Sequence, residues 1–215
     1  MAPRLTRTIA ALAAVLGWVS LDLQLVAAHL NAAARGIPFA TATVNYFSYF
    51  TILSNILAAG VLSAFALAGR DAVGRFLRRP ATATAAMLYM AVTGLIYVTI
   101  LRTIWEPQGL DLLADTLLHY VMPAVYVLFW LAFAPKGGLT YRHVVLWLIF
   151  PVLYGAYSLV RGAATGFYPY PFVDVAGLGY PAVLHNMALL VGGFALFGTA
   201  VVGLVRAAQN LRAGS

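Results

Sequence analysis

Side chains able to do chemistry interrupt otherwise apolar stretches of this 215-residue chain. Asp115 and His119 stand four residues apart, so on a helix the carboxylate lies one turn from the imidazole. Ser48, Thr51 and Asn55 fall at i, i+3 and i+7, which is one helix face. Trp18, Asp22, Leu25 and His29 share a face in the same way, as do Tyr154, Tyr157, Ser158 and Arg161. Arg102 closes one apolar stretch, and the pair His185-Asn186 opens another. Two histidines on different helices, His119 and His185, are what axial ligation of a b-type haem would require. With an aspartate they would form a zinc set, but no recognised metal spacing is present, so no metal and no cofactor is expected. The chain has no cysteine, which excludes disulfides, thiolate nucleophiles and thiolate metal sites.

The elements that position these groups follow from composition. Hydrophobic residues make up 63% of the chain and charged residues 9%, with a mean hydropathy of +0.89. Soluble domains are roughly 45–50% apolar and about 25% charged. The chain is therefore read as an all-α, polytopic membrane protein with a single transmembrane domain. A bilayer-crossing helix needs about 20 mostly apolar residues, and six stretches qualify, over roughly 8–30, 45–68, 81–104, 112–134, 142–162 and 182–206. Between them lie Gly69-Arg70-Asp71, Arg78-Arg79-Pro80, Pro107-Gln108-Gly109 and Pro135-Lys136-Gly137-Gly138, all breaker-rich. The Gly- and Pro-rich segment 162–181 cannot be one continuous helix. Arg4, Arg7 and the apolar run Ile9–Leu21 have the form of a signal peptide, but the apolar stretch resumes after Gln24, so the first span is read as a retained helix. The net charge of +7 does not point to nucleic acid, because the basic residues sit in short loops between spans.

Those loops set the orientation. With the N-terminus cytoplasmic, Arg4, Arg7, Arg70, Arg75, Arg78, Arg79, Lys136, Arg142, Arg206 and Arg212 all fall on the cytoplasmic side, and only Arg35, Arg102 and Arg161 fall outside. Both termini are then cytoplasmic. Arg dominance and abundant Ala suggest a GC-rich bacterial genome, hence the inner membrane. At 1.5 Å per residue Thr51 lies roughly 9 Å and Asn55 roughly 15 Å along span two, and His119 roughly 10 Å along span four. Asp22 and Gln24 occupy the outer half of span one, and Arg102, Arg161 and His185-Asn186 mark the outer ends of spans three, five and six. All six spans carry a polar group into the outer half, whereas the inner halves are nearly all apolar. Intramembrane polar groups normally face the bundle interior and pair with one another. This pattern predicts a polar cavity open to the outer leaflet and names no reaction. Pro123, four residues past His119, cannot donate to the His119 carbonyl and predicts a kink below it. His143, beside Arg142, reads as a solvated loop residue.

Three segments carry a family resemblance: NYFSYFTILSN at 45–55, LLHYVMP at 117–123 and GFYPYPF at 166–172. In order and spacing they resemble the bacterial branch of the androgen-induced protein family, which includes the androgen-dependent TFPI-regulating protein, across essentially the whole chain. The resemblance implies a hydrolase of fatty acid esters of hydroxy fatty acids that works through a membrane-embedded Thr and His. Here these are Thr51 and His119. It implies Thr51 as nucleophile and His119 as its base, with Asp115 or Asp22 orienting the imidazole. Asn55, His185 and Asn186 are the candidate oxyanion donors, and Arg102 and Arg161 the candidate holders of a fatty-acid carboxylate. The alternative is a non-catalytic lipid-binding or scaffold protein. A haem protein ranks lower, as does a transporter, which would need polar groups in both membrane halves.

The topology is directly testable because the chain lacks cysteine. Single cysteines at Ala34→Cys and Gln108→Cys should react with a membrane-impermeant maleimide in intact spheroplasts. Those at Ala72→Cys and Gly137→Cys should react only after permeabilisation; the reverse pattern would invert the orientation.

Overall fold

The computed structural model describes residues 3–69 and 71–213, without the side chains of residues 3, 212 and 213. Arg70 and the Arg212 side chain therefore lie outside the described residues. Nine α-helices follow one another among the described residues: α1 Pro3–Ala34, α2 Phe39–Tyr46, α3 Phe50–Leu67, α4 Ala72–Leu77, α5 Pro80–Thr99, α6 Gly109–Thr116, α7 Met122–Phe133, α8 Tyr141–Thr165 and α9 Val175–Ala213. A 3₁₀ turn, Leu101–Thr103, ends α5, and a π-helical turn, Leu117–Val121, joins α6 to α7. No strand occurs among the described residues. Six of the helical stretches are long and apolar enough to cross a membrane, which makes this a multi-pass membrane protein. Large apolar side chains such as Leu12, Val15, Leu95, Leu128, Val160 and Leu196 stay exposed on these spans, where lipid is the natural solvent.

The helices group into two compact units, one ending at Pro135 and the other beginning at Lys136. In the first, α1 packs on α3, α3 on α5, α5 on α7, and α6 and α7 return to α1, so the four spans close into a ring. Small residues let them approach. A Cβ on Gly17 would stand 2.9 Å from Met122 Cε and 3.2 Å from Ala59 Cβ. Ala58, Ala59, Val61 and Leu62 of α3 and Ala83, Ala86 and Met90 of α5 fill the centre. Hydrogen bonds cross the same interfaces: Tyr126 Oη donates to the Ala83 carbonyl (3.2 Å) and Trp130 Nε1 to Thr84 Oγ1 (3.0 Å). The second unit packs α8 against α9, with a 3₁₀ turn at Pro171–Val173 between them.

The sequence-based boundaries need correction at three places. The second span does not run from Asn45. The chain breaks at Phe47–Tyr49 between α2 and α3, so Ser48 lies in a turn, its hydroxyl donating to the Val44 carbonyl at 2.6 Å. It therefore does not share a helix face with Thr51. The last span begins earlier than expected: helix starts at Val175 and is interrupted at Gly179, whose φ of 76° only glycine adopts without strain, just before Pro181. His143 is not a loop residue. It sits in the first turn of α8, where its Nδ1 accepts from the Thr140 N–H and completes a capping box.

The end of α3 opposite Thr51 is closed by arginines. Arg78 Nη1 donates to the Ala64 carbonyl (2.7 Å) and Nη2 to the Gly69 carbonyl (2.5 Å), while Arg7 Nε donates to the Ala66 carbonyl (3.0 Å). These bonds go to carbonyls at and just past the C-terminal end of the helix, where intrahelical donors run out. The Ala64 carbonyl also accepts from the Ala68 N–H (3.1 Å). Asp71 caps α4 by accepting from the Gly74 N–H at 2.8 Å, which holds its carboxyl below the usual carboxylate range. Arg78→Ala should remove two charge-assisted bonds and lower stability by about 1–3 kcal/mol, read as the thermal midpoint in detergent. Arg78→Lys should recover only part of it, because an ammonium lacks the planar fork.

Candidate functional site

Helix geometry brings three spans of the first unit together at one end. α3 enters just before Thr51, α5 leaves just after Tyr97, and α6 delivers Asp115 and His119 as it passes into the π turn. Thr51 Oγ1 lies 3.3 Å from His119 Nε2. His119 Nδ1 lies 3.1 Å from Asp115 Oδ1 and 3.1 Å from the Asp115 carbonyl. Both of those partners are acceptors, so the Nδ1 nitrogen carries a proton, and in the neutral imidazole Nε2 is the nitrogen that presents its lone pair to Thr51. The other carboxylate oxygen of Asp115, Oδ2, accepts a very short hydrogen bond from Tyr97 Oη. The Tyr97 ring also stacks on the imidazole, with centroids 4.1 Å apart and planes 17° apart. Ring orientation, tautomer and hydrogen-bond direction are thus all fixed by two neighbours.

The backbone around the pair is irregular, and its exposed polar groups find partners. In a π turn each N–H reaches back five residues rather than four, and such turns recur at functional sites. Asn55 Nδ2 donates to the Thr51 carbonyl (2.9 Å) and to the Leu118 carbonyl (3.3 Å), tying α3 to this turn. Pro123 stands at the start of α7 and offers no N–H to the His119 carbonyl, so the expected kink takes the form of the π turn. Gly94 of α5 lets that carbonyl come close: a Cβ there would stand 3.3 Å from it and 3.2 Å from Pro123 Cβ. Thr51 is buried at 6% exposure, whereas the His119 side chain keeps 14%, so the imidazole edge remains reachable.

The other sequence-derived candidates separate. Asp22 is exposed, and no hydrogen bond or ion pair involves it among the described residues; Asp115 is the carboxylate at the imidazole. Asn55 does not suit an oxyanion donor, because both of its amide hydrogens are engaged by backbone carbonyls. Arg102 lies in the 3₁₀ turn beyond α5, exposed, with Nη1 donating to the Trp105 carbonyl (3.1 Å), and its charge acts on Tyr97. Arg161, His185 and Asn186 belong to the second unit. There the Arg161 guanidinium lies over the Phe167 ring at 4.5 Å, Asn186 Nδ2 donates to the Phe172 carbonyl (3.0 Å), and His185 is exposed. No group of three or more His, Asp or Glu placed to hold a metal occurs among the described residues.

Sequence reasoning missed Tyr97, because tyrosines in membrane proteins are read first as interfacial belt. Its depth was the available signal: two residues before the end of α5, it lies level with Thr51 near the start of α3. No protein-family model, no curated protein and no solved structure matches the chain.

Tyr97→Phe keeps the stacked ring and deletes only the hydroxyl, leaving one oxygen of a buried carboxylate without its donor. It should lower stability by about 1–3 kcal/mol in thermal unfolding. An unchanged midpoint would mean that Asp115 does not depend on this bond.

Proposed function

We propose that this chain is an intramembrane hydrolase of lipid esters, such as fatty acid esters of hydroxy fatty acids, with Thr51 as nucleophile and His119 as general base. One observation carries the reading. Thr51 Oγ1 lies 3.3 Å from one nitrogen of an imidazole whose other nitrogen lies 3.1 Å from a buried carboxylate. Nucleophile, base and orienting acid in that order form the constellation used for acyl transfer on unrelated folds. The 3.3 Å separation is slightly long for a hydrogen bond poised for proton transfer, as is common before substrate binds. The order and spacing of the three segments that resemble the androgen-induced protein family support the same reaction class.

In the proposed reaction Thr51 Oγ attacks the ester carbonyl carbon while its proton passes to His119 Nε2. The tetrahedral intermediate collapses, the C–O bond to the alcohol breaks, and Nε2 returns the proton to the departing alkoxide. Water then attacks the acyl-threonine and gives a proton to Nε2. Thr51 Oγ leaves with that proton, releasing the fatty acid. Asp115 stays ionised throughout and stabilises the imidazolium formed in each half. Tyr97 holds Asp115 in place. Arg102, exposed beyond the end of α5, suits the carboxylate of a fatty-acid substrate at the water interface. The proposal places the pair in the outer half of a bacterial inner membrane, with both termini cytoplasmic and the acyl chain running inward between apolar helices.

The test is hydrolysis by detergent-purified protein over esters of fatty acids and of hydroxy fatty acids. Thr51→Ala and His119→Ala should lose turnover while remaining folded. Asp115→Asn should lose roughly 10⁴-fold in kcat, as expected when the orienting acid is replaced and the tautomer is wrong. Wild-type protein silent across the panel, or turnover indifferent to these substitutions, would overturn the proposal and leave a lipid-binding membrane protein.

A further inference from the structure

Five arginines, Arg4, Arg7, Arg75, Arg78 and Arg79, gather at the end of the first unit where α3 stops and α5 starts. Two of them are held by main chain rather than by acids. Arg78 spans the Ala64 and Gly69 carbonyls, and Arg7 gives its Nε–H to the Ala66 carbonyl at 3.0 Å. Asp71, the one carboxylate among the described residues from 64 to 80, accepts from the Gly74 N–H. The C-terminus of α3 adds about half a negative charge. These offset the smaller part of five positive charges.

The remaining donors are exposed. Beyond the Nε bond of Arg7, neither Arg7 nor Arg79 makes a hydrogen bond or ion pair among the described residues. With Nε engaged, Arg7 still offers its Nη1 and Nη2 pair, which matches two oxygens of one phosphate. Arg79 Cζ lies 5.7 Å over the Phe76 ring, so this cation stands beside an exposed aromatic face.

Apolar side chains stand uncovered among these charges. Val73 and Phe76 stand three apart on one face of α4, 67% and 52% exposed, and Leu67 at the end of α3 is 76% exposed. Arg75, two residues past Val73, leaves the opposite side of α4 and is exposed. Asp71 caps the start of α4 and Arg78 ties its far end to α3, so this short amphipathic element is fixed in place. A soluble anion would match the arginines and leave Leu67, Val73 and Phe76 bare. A lipid with an anionic head covers both.

We propose that α4 and the arginines around it form a binding surface for anionic phospholipids. Phosphodiester groups take the guanidinium groups of Arg7, Arg75 and Arg79, and acyl chains cover Leu67, Val73 and Phe76. The surface lies at the end of α3 opposite Thr51 and does not depend on hydrolysis there.

The full-length protein, purified in neutral detergent, is titrated with phosphatidylglycerol or phosphatidylcholine. Phosphatidylglycerol should raise the thermal midpoint and stay bound in native mass spectra, and phosphatidylcholine should do neither. Arg79→Ala should weaken phosphatidylglycerol binding about fivefold, and Arg75→Ala with Arg79→Ala about 25-fold. Both should keep the wild-type midpoint in lipid-free detergent. Val73→Ser with Phe76→Ser should also weaken binding, whereas Arg35→Ala, equal in charge to Arg79→Ala, should leave it unchanged. Equal retention of the two lipids would overturn the proposal. So would a loss in Arg35→Ala as large as in Arg79→Ala, because net charge alone would then attract the lipid. Inorganic phosphate raising the midpoint as far as phosphatidylglycerol would mean a soluble-anion site instead.

Discussion

A carboxylate buried within a membrane-spanning unit is the hardest group in this chain to accommodate, and the site is organised around satisfying it. Asp115 is 5% exposed, in surroundings where an unpaired charge would be several kcal/mol unfavourable. It is met from two sides: the Tyr97 hydroxyl donates to one oxygen, and His119 Nδ1 lies 3.1 Å from the other. Because one residue lies on α5 and the other follows α6, meeting the needs of this carboxylate also fixes how those spans pack. The stacking of Tyr97 on the imidazole follows from the same arrangement. Remove the carboxylate, and only the Asp115 main-chain carbonyl is left to hold Nδ1.

The backbone departs from regular helix on both sides of the Thr51–His119 pair. A break at Phe47–Tyr49 brings Thr51 to the start of α3, and a π turn carries His119. Non-helical backbone at membrane depth is tolerated where protein covers it and its polar groups find partners. Asn55 meets that requirement with two donated bonds, and Gly94 gives the turn room against α5. The irregularity and its repair are therefore one structural unit.

Much of this was legible in the sequence, and the limits have physical causes. The six spans follow from apolar length and the breakers between them, signals that any bilayer imposes. The Asp115–His119 contact follows from i, i+4 spacing, and it survives although His119 itself lies in the π turn. The depth argument put Thr51 and His119 at one level. It did not reveal Tyr97, since one sequence says which face a residue occupies but not which neighbouring helix that face meets. For the same reason Asp22 and Asp115 were indistinguishable until packing chose between them. The break before α3 was hidden because Tyr46, Phe47, Tyr49 and Phe50 are apolar enough to continue a span, and no Gly or Pro marks the turn. The role of Asn55 was hidden because an amide that repairs backbone and an amide that binds a ligand look identical in sequence.

The resting charge of the site bears on the proposed chemistry. The proposed step starts from a neutral His119 and an ionised Asp115, which accepts from Tyr97 and has no cation beside it among the described residues. When His119 takes the proton of Thr51, that lone anion becomes one half of an ion pair at hydrogen-bonding distance. In a low-dielectric setting an ion pair in contact is far better tolerated than an isolated anion. The new negative charge on the tetrahedral intermediate lies on the opposite side of the imidazolium, so one cation serves two anions. The gain appears only as the proton moves, which is the condition for an interaction to accelerate a reaction rather than merely tighten binding. A carboxylate held in apolar surroundings by Tyr97 is thus better suited to the proposed step than a solvated one, and in that proposal the apolar packing around α5 and α6 contributes to the strength of the base.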